Sequence, residues 1–246
     1  MERLKRTEKN TLTERVLQFG EGNFLRGFVD WMIDKLIKEN GGDYGVTIVQ
    51  PLAGGLVDKL NAQDGRYSLY LRGLLKGEKV EETRIVDCVT RGINPYTNTD
   101  EFFDCAKNPD LRFIVSNTTE AGIEYKPNQN PDDFNGLTFP GRLTLFMKKR
   151  FDEGLGGFIL LPCELIDKNG DNLKECILKY SVDWGYGGEF EKWIETENHF
   201  TNTLVDRIVT GYPRDNAKEM EQSYGYLDDM IDALVQDDNV SLPKTG

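Results

Sequence analysis

Val16-Leu17-Gln18-Phe19-Gly20-Glu21-Gly22-Asn23-Phe24-Leu25-Arg26-Gly27 is the stretch on which the fold turns. Its first four residues form a β-prone run that stops at Gly20. After Gly22 the apolar residues Phe24, Phe28, Trp31, Met32 and Leu36 recur at the spacing of one helical face. Gly41 and Gly42 end that helix, and the β-branched residues 46–49 predict a second strand stopped by Pro51. Strand, tight glycine turn, helix and strand in this order make the βαβ unit of a parallel sheet.

The turn carries a chemistry. Gly20 permits a tight bend, and Gly22 omits a Cβ so that backbone can approach a diphosphate. The free N–H groups and the positive dipole of the helix start then face the anion. The third glycine of G-x-G-x-x-G is missing, because Leu25 stands there and Gly27 comes later. Two glycines alone fit a plain βα turn equally well. Their place after the first strand of an α/β chain favours a dinucleotide. The second strand ends Val49-Gln50-Pro51, without the acid that takes a ribose 2′-hydroxyl. Gln50 could accept that hydrogen bond, and no arginine follows directly to grip a 2′-phosphate. The residues alone leave NAD or NADP open.

Outward from this unit, 67–75 and 80–89 predict a β-hairpin outside the parallel sheet. A helix starts in 99–105, and 112–116 is a buried strand ending in Asn117-Thr118-Thr119-Glu120. A polar loop covers 127–136, a helix 141–153, a strand 157–163 and a helix 171–184. The expected class is α/β, a Rossmann-like doubly wound, mostly parallel sheet with a β-hairpin insertion. Residues 1–235 are expected to form one domain and 236–246 a frayed tail. From Asp215 onward the composition is acidic and helical.

Thirty basic against 42 acidic residues leave a net charge of −12, so neither nucleic acid nor an anionic membrane is an expected partner. The longest apolar stretch, 158–163, is far short of the ~20 residues that span a bilayer. Four cysteines without a C-x-x-C, beside a single histidine, argue against a structural zinc or a disulfide framework. The basic start lacks the apolar core of a signal peptide, and a cytoplasmic protein is expected. The final LPKTG looks like a sortase recognition pentapeptide, but without an export signal or apolar tail wall anchoring is not expected.

Five blocks occur together and in order: QFGEGNFLRGFVDW (18–31), NAQDGRYS (61–68), FIVSNTTEAGI (113–123), LPCELIDKNGD (161–171) and TLVDRIVTGYPRD (203–215). Together they resemble the mannitol dehydrogenase family of long-chain polyol dehydrogenases. The resemblance implies NAD as cofactor and a small sugar acid as substrate. CELIDKNGD and TGYPRD draw it toward the branch that interconverts D-altronate and D-tagaturonate in hexuronate breakdown, rather than toward fructuronate or mannitol. It implies that residues 16–27 line NAD, with Phe24 and Arg26 matching G-x-G-x-F-x-R. It also implies that Thr118 and Thr119 border the nicotinamide, with Glu120 and Asp206 on the substrate side.

The residues by themselves leave plainer roles open. Phe24 fits a core position, and Arg26 a solvated or salt-bridged side chain. Thr119 or Glu120 could cap a following helix, and Asp206-Arg207 could form a structural ion pair. The resemblance further implies a second, helical domain whose K-x-x-x-x-N-x-x-H motif supplies a base and polarises the substrate. That motif does not occur in the 246 residues: the sole histidine, His199, is preceded by Glu191 and Thr196 at the lysine and asparagine positions. His199 is expected on a helix surface or in packing. The resemblance fades after 226–229. The expectation is therefore an amino-terminal NAD-binding domain lacking its catalytic partner domain, with an apolar face left uncovered and prone to self-association. A non-catalytic nucleotide-binding or interaction module is the alternative.

Overall fold

The computed structural model describes residues 1–75, 77–119 and 122–236. Along the chain run β1 (Glu14–Phe19), β2 (Gly45–Val49), β3 (Tyr67–Leu75), β4 (Glu78–Val86), β5 (Val89–Ile93), β6 (Phe113–Ser116), β7 (Ile159–Pro162), β8 (His199–Phe200), β9 (Ile208–Val209) and β10 (Asp232–Gln236). Six of them form one sheet in the order β5-β2-β1-β6-β7-β8, every pair parallel. Counted along the chain within this sheet, the order is that of the doubly wound dinucleotide fold. It reverses between β1 and β6, where Phe19 lies beside Ser116. A crevice opens at the carboxyl ends of those two strands, which is where such sheets bind ligands.

Burial on both faces explains the nearly continuous apolar runs of these strands. Leu17 and Phe19 pack into one core with Phe102, Phe146 and Leu160. Val16, from the opposite face of β1, joins Val46, Ile48, Tyr67 and Leu69 in the other.

The helix after β1, α1, is α-helical over Asn23–Leu25, π-helical over Arg26–Asp30 and α-helical again over Trp31–Asn40. It stops at Gly41, whose φ of +69° is the left-handed cap conformation glycine adopts without strain. The widened π turn buries Arg26, Gly27 and Asp30 together. Later come α2 (Val57–Ala62), α3 (Thr99–Cys105), α4 (Phe139–Asp152), α5 (Asn169–Asp183), α6 (Gly188–Thr196) and α7 (Ala217–Tyr224). Side-chain caps fix two starts: the Glu101 amide donates to Asn98 Oδ1, and the Gly141 amide to Thr138 Oγ1.

The expected hairpin is present as β3 and β4, in a second sheet ordered β4-β3-β10-β9. The run expected over 80–89 divides in two, because Asp87 turns the chain from one sheet to the other. Its amide donates to Asp34 Oδ1 at 2.9 Å and its carboxylate receives Arg66 Nε at 2.7 Å. The end of the chain also differs from expectation. Among the described residues after Asp215 only α7 is helical, and Asp232–Gln236 forms β10, parallel to β3. Composition could not reveal this, since the pairing partner is the distant hairpin. His199 lies exposed on the edge strand β8 rather than on a helix, its amide donating to Phe158 O at 2.8 Å. The LPKTG pentapeptide lies outside the described residues. Among the described residues no helix is long and apolar enough to cross a membrane.

Candidate nucleotide and substrate site

The glycine turn sits at the strand-order reversal. Gly20 has φ +128°, and a Cβ there would lie 3.0 Å from the Asn117 carbonyl oxygen. Its amide donates to Val49 O at 3.0 Å, tying the turn to β2. Gly22 is the residue before the helix, with φ −65° and ψ 163°, and no side chain caps the helix behind it. A Cβ on Gly22 would meet nothing within 4 Å. The opening amides of α1 thus carry no side-chain cap, and the space beside Gly22 is open, the arrangement that receives a diphosphate.

The rest of the predicted segment supports this turn. Val16, Leu17, Gln18, Phe19 and Leu25 are buried beneath it. Asn23 Oδ1 accepts from Arg26 Nη2 at 2.6 Å. Arg26 is itself buried, with Nε donating to Glu21 O at 3.0 Å, Nη1 donating to Met230 O at 2.6 Å and the guanidinium over the Tyr67 ring at 4.9 Å. Neither solvated nor salt-bridged, it is a strut between the glycine turn and the segment before β10.

Below Arg26 lies a buried acidic cluster. Asp30 Oδ2 accepts from Tyr67 Oη at 3.1 Å, while Asp30 Oδ1, Asp232 Oδ2 and Gln18 Oε1 have no partner among the described residues. Burial pushes Asp30 up to about 7 and Asp232 up to about 6. In the unfolded chain Asp30 loses its proton near 3.8. Between about pH 4 and about pH 7 the folded chain thus holds more protons, so this locus loses stability as pH rises through that window. Asp30→Asn, which keeps the acceptor for Tyr67 without the charge, should gain stability relative to wild type as pH rises from about 4 to about 7. Thermal melts of both proteins across that range check it, and a pH-independent difference would overturn it.

At the end of β6, Thr118 N and Oγ1 both donate to Glu164 Oε1 at 3.0 Å, and Ser116 Oγ donates to Oε2 at 3.0 Å. Asn117 Nδ2 donates to Cys163 O at 2.8 Å. These bonds lock the ends of β6 and β7 together. The next residue, Thr119, has φ +79°, a strained conformation for a β-branched residue. Residues 122–133 form no helix that Thr119 could cap. Glu120 lies outside the described residues. Glu164 was not singled out from the sequence, although its place just after a buried strand in the LPCELIDKNGD block was a usable signal.

A cleft of about 690 Å³ opens beside the ends of β6 and β7, lined by Phe24, Asn117, Thr119, Glu164, Asp206 and Arg207 among others. Phe24 both faces it and packs on Phe28, with ring centroids 5.4 Å apart. Asp206 is exposed. Asp206 and Arg207 do not form the structural ion pair that their adjacency suggested. Arg207 instead stacks on Trp31, 4.1 Å from its centroid, and its Nε is buried without a partner. Burial lowers its pKa to about 10, so it stays charged at neutral pH.

On the β2 side, Gln50 is occupied with its own loop. Its Nε2 donates to Leu52 O at 2.8 Å and its Oε1 accepts from Val57 N at 3.3 Å. The acid nearby is Glu21, from the glycine turn itself. Its Oε1 accepts from Leu56 N at 3.4 Å and its Oε2 is buried with no partner among the described residues. A separate apolar groove of about 420 Å³ runs between α1 and the sheet, lined by Phe28, Met32, Leu36, Leu161 and Leu204 among others.

Comparison with known proteins places this geometry. Residues 14–240 match the model of the mannitol dehydrogenase Rossmann domain, so the likeness continues beyond 226–229, where it was expected to fade. The chain is 46% identical over 224 residues to altronate oxidoreductases of Cronobacter sakazakii and Shigella flexneri, covering 89% of this chain and 46% of each relative. It thus spans about half the length of these curated relatives. Among solved structures, a D-sorbitol dehydrogenase in substrate-free form superposes with a TM-score of 0.77 at 20% identity, covering 91% of this chain and 49% of that one. The Pseudomonas fluorescens mannitol 2-dehydrogenase, in ternary complex with NAD and D-mannitol, superposes with a TM-score of 0.76 at 19% identity, covering 92% and 48%.

Proposed function

The chain belongs to the mannitol dehydrogenase family as a Rossmann domain, and from that premise we propose that it binds NAD for an oxidoreductase interconverting D-altronate and D-tagaturonate. The observation that carries this reading is the Gly20–Gly22 turn at the strand-order reversal, with open space where a Gly22 side chain would stand. The relatives' name, altronate oxidoreductase, supplies the substrate pair. NAD, when bound, takes up or delivers the hydride.

The chain's own residues bind and orient. The amides opening α1 hold the diphosphate. Glu21 Oε2 accepts from a ribose hydroxyl, and its carboxylate disfavours a 2′-phosphate. Thr118 and Thr119, braced by Glu164, border the nicotinamide, with Glu120 and Asp206 toward the sugar acid. Residues 1–235 act as one nucleotide-binding unit. No K-x-x-x-x-N-x-x-H occurs in the 246 residues, so the base that hydride transfer requires within hydrogen-bond reach comes from a separate helical domain. The apolar groove beside α1 is a face for that domain, and self-association occurs through it when uncovered.

The 246-residue chain should bind NAD in a calorimetric titration, yet produce no NADH above background from NAD and altronate. Absence of NAD binding overturns the nucleotide reading. Robust turnover overturns the assignment of the base to another domain.

A further inference from the structure

The acidic cluster beneath the glycine turn takes no part in the chemistry above, yet it is bonded to that turn. Gln18 Nε2 donates to Gly20 O at 3.1 Å and lies 3.4 Å from Asp30 Oδ2. Arg26 Nε donates to Glu21 O at 3.0 Å, and its charge favours ionisation of both Asp30 and Asp232. The donors that hold the two turn carbonyls are therefore the ones an ionised Asp30 attracts.

The cluster is also short of hydrogen. Gln18, Asp30 and Asp232 are fully buried, and Gln18 Oε1, Asp30 Oδ1 and Asp232 Oδ2 are acceptors without a donor among the described residues. A carboxyl that keeps its proton becomes a donor, so one retained proton supplies what the cluster lacks. Other groups facing Asp30 do not titrate in its place. Burial pushes the Tyr67 hydroxyl, from β3, and the Cys88 thiol, from the link before β5, well above their ordinary values. Asp34, one turn further along α1, is paired with Arg84 and Lys38. Asp232 on β10 remains, and its charge raises Asp30 further. With Asp30 at about 7 and Asp232 at about 6, the two acids titrate as a pair.

Resting on the nucleotide reading, we propose that the Asp30–Asp232 pair is a proton-binding site linked to NAD, taking up a proton from solvent when the dinucleotide binds and returning it when the dinucleotide leaves. The diphosphate brings two negative charges to the opening amides of α1. Asp30 lies eight residues beyond Gly22, on the order of 12 Å along the helix axis. Across a buried path that field is poorly screened, and like charge makes the pair hold its proton more tightly. An ionised Asp30 also competes with Gly20 O and Glu21 O for Gln18 and Arg26, so the protonated pair leaves the turn set for the diphosphate. Both effects have one sign. NAD affinity is full below about pH 7, falls as pH rises through the window of the free chain, and levels once the bound chain has also lost the proton.

Calorimetric titration of the 246-residue chain with NAD, at about pH 7.5 in HEPES and again in Tris, counts the protons exchanged, because the two buffers differ in ionisation enthalpy. Net uptake is expected, with affinity falling by on the order of threefold to tenfold between about pH 6 and about pH 8.5. Asp30→Asn should bind NAD as the wild type does at low pH, without the uptake and without the fall. Asp232→Asn should keep the fall but move it to lower pH, since Asp30 then loses its like-charged neighbour. NAD binding without proton uptake, or uptake unchanged in Asp30→Asn, overturns the proposal. Should Asp30→Asn fail to fold in a thermal melt, an unmoved pH window in Asp232→Asn overturns it equally. Failure of NAD to bind the wild type at any pH overturns the nucleotide reading beneath it, and the proposal with it.

Discussion

Gly22→Val abolishes NAD binding while the chain stays folded. The backbone at this position, φ −65° and ψ 163°, is one valine adopts, and its Cβ would meet no protein atom within 4 Å. Valine ahead of the helix costs about 1 kcal/mol of stability relative to glycine at most. The isopropyl group would instead occupy the space through which a diphosphate reaches the opening amides of α1. Losing those charge-assisted hydrogen bonds is worth on the order of 3 kcal/mol or more, over a hundredfold in affinity. Gly20→Val is the contrasting variant. It combines a φ of +128° with a Cβ 3.0 Å from Asn117 O, so it should lose stability and binding together. Calorimetry and thermal melts separate the two outcomes. Wild-type NAD affinity in a folded Gly22→Val protein would remove the basis of the proposed function.

Arg26→Met is expected to have the largest effect on stability. The substitution leaves the carbonyls of Glu21 and Met230 without their donor. It also removes the cation whose field favours ionisation of Asp30 and Asp232 against the burial that opposes it. Leaving buried acceptors without their donor costs about 1–3 kcal/mol each. Against a typical total of about 5–15 kcal/mol, that lowers the melting temperature by on the order of 10 °C. Arg26→Lys should recover little, because one ammonium cannot reach acceptors on both sides of the turn. Denaturant melts measure this directly. A loss under about 1 kcal/mol would show that the strut is not needed.

The first third of the parallel sheet was legible because its information is local. Gly20, Gly22 and the helical spacing from Phe24 to Leu36 lie within one βαβ unit, and their meaning needs no distant partner. The buried strands at β6 and β7 were equally readable from unbroken apolar runs. What stayed hidden depends on residues far apart in the chain. Arg26 reads as a surface cation until Met230 O is known to meet it. Asp232–Gln236 reads as part of an acidic tail until β3 is seen to pair with it. The break between β4 and β5 falls at Asp87 because Arg66 and Asp34 hold that residue, not because its own composition stops a strand. The cleft was half visible: its β6 turn and Asp206 were foreseen, whereas Glu164 and the Arg207–Trp31 stack emerge only from tertiary contacts.

The bond from Arg26 to Met230 joins positions 204 residues apart. A ribosome releases the glycine turn well before the segment that braces it, and contacts so distant are slow to close. Nascent chains halted before Met230 should therefore carry an unbraced loop, and cofactor competence should arrive only once that segment has emerged.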